Sequence, residues 1–599
     1  MNGLRRLAFT SFAVVVMILL FMHETGSLGE VVTFAFLLGG AVCFGNKVAE
    51  SSPYGLQHCL MAGGTGVGLC SLVNHSGTIT GLADILGLSD KVVLMLVFVI
   101  LFVALLPAIR RFMEFAKSEV SSHGALRWVN EFAICRCCVI LALLGITLQV
   151  IFSFSGDIWG DEAWTMVFIA PSYVESVGLI AADVHPPLYY LIVKGAVDVV
   201  HALCPGVPAV YVVRMCSVIP VLSLAVIGVT YIRNRYGRLP GTLFAVLVAC
   251  MAPMIDMSIE MRMYSWALFF VTLTYLFAER LSPKGNMWLW CGFVLFSLGA
   301  AYTHYFAIVA VLPAYLYVLV VMRSRIWVLF LVCLIVVACY FPWLLVFINQ
   351  ATRVGAGYWI SPVGMQELMR VFGILLPDGF CVAMLLLLLC LALLEDQQKE
   401  QKYKGIVCML VPVFVVLVGW VASLAFRPVF VARYLFPAVG VMWYGAVILL
   451  SRYQNRNIVV MFSLCTMFAA ACSLITFSTR EYRGMLEHER FMTFAQAQVE
   501  PIYISIETKG CRVASVMTGC PGYSWKSPLS DLMKKAFGVE SLHDVAGLRK
   551  AAESGKTVCF LARKPAEIEQ FKSEVPFECH YQGKFLIGQE YDVYRVIVD

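Results

Sequence analysis

The sequence is dominated by apolar runs, each about as long as the roughly 20 residues that an α-helix needs to cross a bilayer. About fifteen such runs can be counted between residues 7 and 477. Hydrophobic residues make up 60% of the 599 residues and charged residues 14%, against about 25% charged residues in ordinary soluble domains. The solid runs, without alternation, predict helices. The pattern excludes a soluble or disordered chain and indicates a polytopic α-helical membrane protein.

The loops between the runs differ in charge. Lys and Arg cluster in alternate loops, as at 233–238, 323–325 and 399–404, and the intervening loops have almost none. By the positive-inside rule the basic loops are cytoplasmic, so we expect a cytoplasmic amino terminus and an outer carboxyl terminus. The apolar segment 186–203 would invert every later loop if it crossed once. We therefore predict a juxtamembrane or re-entrant helix there.

Composition divides the chain into three regions. Residues 1–132 hold four runs and a cytoplasmic linker, and 133–477 hold about eleven more. Residues 478–599 are charged and have no run, but contain the strand-like stretches TVCFLAR and YDVYRVIV. A helical pattern lies between them, with Ser541 as its predicted N-cap. We predict a small extracytoplasmic α/β domain, in which one or two disulfides can form among Cys511, Cys520, Cys559 and Cys579.

The long outer loop after residue 153 carries five acidic residues and no Lys or Arg. Asp161 and Glu162 are adjacent within it, just past the predicted membrane exit. One interpretation is structural, since acidic residues stabilise the first turn of a helix. The other is catalytic: a carboxylate at the membrane surface can act as a general base. The spacing alone leaves both open.

Cations are rare on the predicted outer side. At the outer ends of predicted spans, three polar residues can donate hydrogen bonds. These are Arg262, His304 and Arg433, and His185 lies before two prolines in the preceding loop. Each can be a snorkelling or orienting side chain. Together they indicate a ring of donors around an anionic headgroup, because Arg binds phosphate bidentately.

Aromatic residues accompany these outer ends of the spans. They fit an interfacial belt, but some can stack on a sugar ring instead, and we take five as candidate substrate contacts: Tyr264, Tyr305, Tyr358, Trp359 and Tyr434. No Walker motif, zinc-ligand spacing or Gly-x-Ser-x-Gly motif is present in the sequence. We expect no metal ligands and no nucleic-acid partner.

Five segments in order resemble a known family: GDEAWT, DVHPPLYYLIVK, EMRMYSWALFF, THYF and ARYLFPAVG. They resemble the polyprenyl-phosphate-sugar-dependent glycosyltransferases of the GT-C fold, in particular the family 39 protein O-mannosyltransferase-like and aminoarabinose-transferase-like enzymes. The resemblance covers about 133–477. The four amino-terminal spans have no counterpart, and the terminal region is not the β-trefoil of eukaryotic protein mannosyltransferases.

The resemblance implies an inverting transfer of a sugar from a polyprenyl phosphate to an acceptor hydroxyl on a lipid, glycan or protein. It makes Asp161 the base, with Glu162 as a catalytic or positioning partner. His185, Arg262, His304 and Arg433 would then bind the donor phosphate. It implies no required cofactor; a divalent metal is compatible but not indicated. It also implies a multi-pass protein of the bacterial inner (plasma) membrane that serves the cell envelope.

Two other functions fit the composition. A transporter or flippase for a lipid-linked sugar would show internal repeats and polar residues at the bilayer midplane, whereas here the polar residues gather at the predicted outer face. A non-catalytic cell-envelope assembly protein would not need the acid pair.

The topology is tested by cysteine accessibility. With Asp161→Cys, we expect labelling by a membrane-impermeant thiol reagent in intact cells. With Arg235→Cys, labelling requires permeabilised cells. The unsubstituted protein, which has 21 cysteines, sets the background. The reverse pattern contradicts the predicted orientation.

Overall fold

The structure, a computed structural model, describes residues 131–155, 157–282, 286–356, 360, 370–371, 399–451, 456–506, 508–526, 539–552 and 555–598. The four predicted amino-terminal spans, the predicted span at 378–394, and both Tyr358 and Trp359 lie outside the described residues. The chain divides into two compact units. Every contact discussed below lies within the unit made of 134–363, 400–451 and 466–599.

Helices account for most of the described residues between 131 and 500. They are α1 (Glu131–Phe152), α2 (Gly160–Ile169), α3 (Tyr173–Ala182), α4 (Leu188–Leu203), α5 (Ala209–Ile227), α6 (Arg233–Tyr236), α7 (Arg238–Cys250), α8 (Ala252–Ile259), α9 (Tyr264–Arg280), α10 (Met287–Thr303), α11 (Tyr305–Val321), α12 (Ile326–Ala356), α13 (Lys399–Ala425), α14 (Val439–Leu450) and α15 (Arg456–Gln496). A π-helical turn, Gly228–Ile232, joins α5 to α6, and a 3₁₀ segment, Ala432–Ala438, precedes α14.

The helices match the apolar runs. Among the described residues, six helical segments are long and apolar enough to cross a membrane, and α7 with α8, bent by 57°, makes a seventh. The helices α10 and α11 are apolar but shorter, with 17 residues each. Each predicted core span except 378–394 coincides with a helix, or with a bent or broken run of helices, so the polytopic helical fold is confirmed.

Three short helices, α2 to α4, fill the predicted outer loop between α1 and α5. The first turn of α2 contains Asp161 and Glu162, as the structural interpretation of the acid pair predicted. Ser172 caps the amino terminus of α3, because its hydroxyl accepts a hydrogen bond from the Glu175 amide at 3.4 Å. The predicted juxtamembrane helix is α4, which has 16 residues and follows the Pro186–Pro187 pair.

Residues 502–598, called the terminal domain below, form a six-stranded sheet. Its strands are β1 (Ile502–Ser505), β2 (Gly522–Trp525), β3 (Val539–Leu542), β4 (Val558–Ala562), β5 (Glu578–Leu586) and β6 (Glu590–Ile597), and its helices are α16 (Thr508–Thr518), α17 (Val545–Ala552) and α18 (Pro565–Glu574). The strand order is β3-β2-β1-β4-β6-β5, with β5 and β6 antiparallel to their neighbours. The predicted α/β domain is confirmed.

The sheet is covered on both faces. On one face, side chains such as Tyr503 and Leu561 share a core with α2, α3 and α4. On the other, Ile504 and Phe560 pack against α17 and α18 through Leu548 and other apolar residues. Neither β1 nor β4 has an exposed residue. Because strands buried on both faces are nearly continuous apolar runs, this burial accounts for the apolar sequence VCFLA of β4.

One predicted helix cap is wrong. Ser541 lies in β3, and α17 begins at Val545. Asp544 has the capping role instead, because its Oδ1 accepts a hydrogen bond from the Gly547 amide at 2.7 Å. Pairing of β3 with β2 extends the strand through Ser541, and this tertiary contact overrides the local capping preference.

The expectation of disulfides is not met either. No disulfide joins the four cysteines of the described part of the terminal domain, which are Cys511, Cys520, Cys559 and Cys579. Cys559 lies in β4 and Cys579 in β5, with β6 between these strands. Adjacent strands are about 4.8 Å apart, so two strand spacings exceed the roughly 7 Å between Cα atoms that a disulfide can bridge.

A buried carboxylate joins four helices at the end of the core that the charge pattern predicts to be cytoplasmic. Glu279, in the last turn of α9, accepts hydrogen bonds from Arg235 Nε at 2.8 Å and from the Tyr236 hydroxyl at 2.6 Å. The Tyr444 hydroxyl of α14 also donates to it, and Lys404 Nζ of α13 lies 4.0 Å away. The carboxylate therefore connects α6, α9, α13 and α14.

Glu279→Leu should destabilise the protein. The two tyrosine hydroxyls lose their shared acceptor, and an unsatisfied buried hydroxyl costs about 1–3 kcal/mol. We expect the apparent Tm in detergent to fall by several degrees. The control is Glu569→Gln, which removes an exposed ion pair with Lys572 at 3.4 Å and should change little. Equal Tm shifts for both variants contradict the importance of the cluster.

Candidate active site

The predicted acid and a predicted cation meet at the amino-terminal end of α2. Asp161 Oδ2 lies 3.0 Å from Arg433 Nη2, and the two side chains are 24% and 21% exposed. Arg433 lies in the 3₁₀ segment before α14 and also packs over Trp159, with its guanidinium carbon 5.5 Å from the ring centre. The pair is thus accessible to a ligand. Its two members are far apart in the sequence of the core, and folding brings them together.

Glu162 differs from its neighbour because it is buried. Its Oε1 accepts a hydrogen bond from the Met261 amide at 2.9 Å, and its Oε2 accepts one from the Trp159 amide at 3.1 Å. Arg214 of α5 adds an ion pair at 3.3 Å. These contacts hold α2 against two other parts of the core. They are the contacts of a residue that positions α2, and the predicted catalytic role of Glu162 stays a prediction.

Arg262 is buried between α2 and the loop before α4. Its Nη1 donates to the Asp161 carbonyl at 3.1 Å, and its Nη2 lies 3.0 Å from His185 Nε2. Because a guanidinium only donates, His185 accepts at Nε2 and carries its proton on Nδ1. Burial, with the positive charge of Arg262, holds the pKa of His185 well below its usual range, so this ring is neutral near pH 7.

His304 caps the amino terminus of α11 and lies beside His185. Its Nδ1 accepts a hydrogen bond from the Phe306 amide at 3.1 Å, and its ring is 6.1 Å from that of His185. Burial, and then the charges of Arg262 and Arg433, lower the pKa of His304 to about 3. A neutral ring that accepts at Nδ1 has its N–H at Nε2.

Two of the predicted aromatic contacts surround His304. The ring centres of Tyr264 and Tyr434 lie 5.6 and 5.0 Å from that of His304. Tyr305 has a different set of contacts: its hydroxyl hydrogen-bonds to Gln350 of α12 and accepts from Trp343 Nε1 at 3.2 Å. Tyr305 therefore connects α11 to α12 by hydrogen bonds.

Two buried tyrosines interact with Arg262, and sequence reasoning missed one of them. Within the described part of the chain, the hydroxyls of Tyr190 and Tyr264 are buried and have no hydrogen-bond partner, and both tyrosines interact electrostatically with Arg262. Tyr264 was taken as a stacking residue and Tyr190 was not singled out, although it belongs to the DVHPPLYY segment. A buried hydroxyl without a partner is costly, and an oxygen-rich ligand would satisfy it.

The fold is similar to that of solved structures. One is the crystal structure of ArnT from Cupriavidus metallidurans in the apo state. The match covers 76% of this chain and 97% of that chain, with 10% identity and a TM-score of 0.50. The structure of the same protein bound to undecaprenyl phosphate matches over 79% and 98%, with 11% identity and a TM-score of 0.51. This chain has the fold of ArnT. The predicted GT-C architecture is confirmed.

Sequence comparison gives no further assignment. No family profile matches the chain, and no curated protein sequence matches it. Among the residues that the structure describes, no group of three or more His, Cys, Asp or Glu side chains is arranged to hold a metal ion.

Glu260 is a second acid that the sequence analysis did not select, although it lies in the EMRMYS segment. Burial, and then the charge of Glu162, raise its pKa to about 8 from an ordinary value of 4.5, against the opposing effect of Arg262 and Arg433. The folded protein therefore keeps this proton at pH values where the unfolded chain releases it. The contribution of Glu260 to the free energy of unfolding therefore falls as pH rises from about 4.5 to 8 and does not change further at higher pH.

Glu260→Gln should reduce this pH dependence, because an amide does not titrate. We expect the difference in apparent Tm between the variant and the wild type to grow in favour of the variant from pH 5 to pH 8. The control, Glu487→Gln, replaces an acid whose side chain is 42% exposed. Parallel curves for Glu260→Gln and wild type contradict the assignment.

Proposed function

We propose that the protein is a membrane glycosyltransferase that moves a sugar from a polyprenyl-phosphate donor to an acceptor hydroxyl. The observation that carries the proposal is the meeting of Asp161 with Arg433 and Arg262 in one partly accessible site. A carboxylate beside two guanidinium groups combines a base with a phosphate-binding site. The fold of ArnT supports the proposal, and one of the matching structures is of ArnT bound to undecaprenyl phosphate.

The donor phosphate would lie between the two arginines. Arg433 offers a partly exposed guanidinium, and Arg262 adds a buried positive charge. His304, Tyr190 and Tyr264 all interact electrostatically with Arg262, and the N–H of His304 and the two tyrosine hydroxyls would donate to phosphate or sugar oxygens. Donors fixed before the reaction stabilise a leaving group without reorganisation, and losing one commonly costs ~10²–10³ in rate.

The transfer itself would be a single displacement. The acceptor hydroxyl attacks the anomeric carbon and forms a new C–O bond, while its proton passes to the Asp161 carboxylate. The bond from the anomeric carbon to the phosphate oxygen breaks, and its electron pair leaves with the lipid phosphate. One displacement inverts the anomeric centre. The two guanidinium groups supply charge neutralisation, so the proposed step requires no cofactor or divalent metal.

Because Asp161 and Arg433 form an ion pair, donor binding would come before the attack by the acceptor. At 3.0 Å the two groups neutralise each other when no donor is bound. A donor phosphate would compete for the guanidinium of Arg433, since phosphate can form two parallel hydrogen bonds with it. Asp161 would then be released to face the acceptor. Glu162 would not move, because its carboxylate is held by three partners.

The proposal includes a location and acceptor classes. The site would lie on the extracytoplasmic side of the inner (plasma) membrane, with the amino terminus cytoplasmic and the terminal domain outside; the positive-inside rule, applied to the basic loops, supports this orientation. The acceptor is a lipid, a glycan or a protein with a free hydroxyl. The proposed role is in building the cell envelope.

Asp161→Asn tests the proposal. The amide keeps the size of the side chain but cannot take a proton, so we expect sugar transfer to fall by at least ~10², while binding of the lipid-phosphate donor persists. The measurement is mass analysis of released lipid phosphate after incubation with a panel of polyprenyl-phosphate sugars. The control is Asp198→Asn on α4, an acid whose side chain is 49% exposed.

Transfer by Asp161→Asn at the wild-type rate contradicts the assignment of the base. Movement of intact lipid-linked sugar across vesicles, without release of lipid phosphate, favours a transporter. Donor binding with neither transfer nor transport favours a non-catalytic role.

A further inference from the structure

The terminal domain contacts the helix that carries Asp161. Arg512, on α16, is only 4% exposed, and its Nη2 donates to the Gly160 carbonyl at 3.2 Å. Its guanidinium carbon lies 5.0 Å from the centre of the Trp164 ring. Gly160 and Trp164 lie on either side of Asp161 in α2, so a single side chain of the terminal domain spans the turn that bears the proposed base.

A second part of the terminal domain approaches the same turn. Gly588, between β5 and β6, has a φ of +66°, and a Cβ atom there would lie 2.8 Å from both the Ile158 carbonyl oxygen and the Trp159 Cα. Only glycine fits this position without strain. The turn therefore packs on the residues that lead into α2, and Ile587 and Tyr591 share a buried core with Ile158.

Two guanidinium groups thus bind successive carbonyls of α2. Arg262, from the membrane core, donates to the Asp161 carbonyl, and Arg512, from the terminal domain, donates to the Gly160 carbonyl. Burial lowers the pKa of Arg512 to about 10, and the negative charge of Asp161 is among the effects that oppose this. Arg512 is therefore charged near pH 7 and close enough to Asp161 to interact with it.

We propose that Arg512 is a positioning residue, through which the terminal domain fixes α2 so that Asp161 is held in its reactive position. The catalytic consequence rests on the proposed function, whereas the mechanical part does not. A misplacement of about 1 Å at a reacting group can cost ~10² in rate. The terminal domain is then a required part of the active site.

The experiment compares substitutions of Arg512 in the full-length protein. Arg512→Met removes both the hydrogen bond and the charge, Arg512→Gln keeps an N–H donor, and Arg512→Lys keeps the charge. The matched control is Arg549→Met, because Arg549 is also an arginine of the terminal domain over an aromatic ring, 5.6 Å from the centre of Phe577. Two quantities are measured: amide hydrogen exchange of residues 159–169, and kcat and KM for the polyprenyl-phosphate donor.

We expect Arg512→Met to accelerate exchange in residues 159–169 and to lower kcat by ~10–10², with KM for the donor changed less than threefold. Arg512→Lys should recover part of kcat. A general loss of packing would instead accelerate exchange throughout the terminal domain, and Lys would not rescue it. Arg549→Met should match the wild type in both measurements.

Unchanged exchange in 159–169 in a folded Arg512→Met protein overturns the inference. So does an unchanged kcat, or a rise in KM without a fall in kcat. If Arg512→Met does not fold, Arg512→Gln and Arg512→Lys decide by the same criteria. If the wild type transfers no sugar from any donor, the proposed function fails, but the exchange measurement still decides whether Arg512 holds α2.

Discussion

The burial of Glu162 is the constraint on which the rest of the site depends. A carboxylate removed from water must have its hydrogen bonds supplied by the protein, and here they come from the Trp159 amide, the Met261 amide and Arg214. Moving α2 would break the contacts with Met261 and Arg214 at once. The next residue, Asp161, therefore projects from a fixed helix end, and a proposed base needs such a support.

Four arginines converge on this helix end, and they do different things. Arg214 donates to the Asp157 carbonyl, Arg512 to the Gly160 carbonyl and Arg262 to the Asp161 carbonyl. Arg433 instead pairs with the Asp161 side chain, at a position a ligand can reach. Backbone contacts by the first three hold the helix end, while the fourth pairs with a group proposed to change partners during the reaction.

Much of the site could be predicted from the sequence, because cations are rare on the predicted outer side and each one needs a reason. This argument selected Arg262 and Arg433, and His304 was selected as a hydrogen-bond donor at the outer end of a third span. The structure places these residues near Asp161 or near one another. It could not separate the roles of neighbours. Glu162 is buried although Asp161 is accessible, and this difference depends on which face of α2 meets the core.

The sequence by itself determined the apolar spans of the described core and the juxtamembrane helix α4, because hydropathy and charge are properties of neighbouring residues. It also predicted β4 and β6 of the terminal domain from their strand-like sequences. Only the tertiary structure decided which cation faces which acid, why Ser541 joins a strand, and that Arg512 contacts α2. These contacts join residues that are not neighbours in the sequence, in the case of Arg512 and Gly160 more than three hundred positions apart. They follow from how helices and sheet pack together, which no local pattern records.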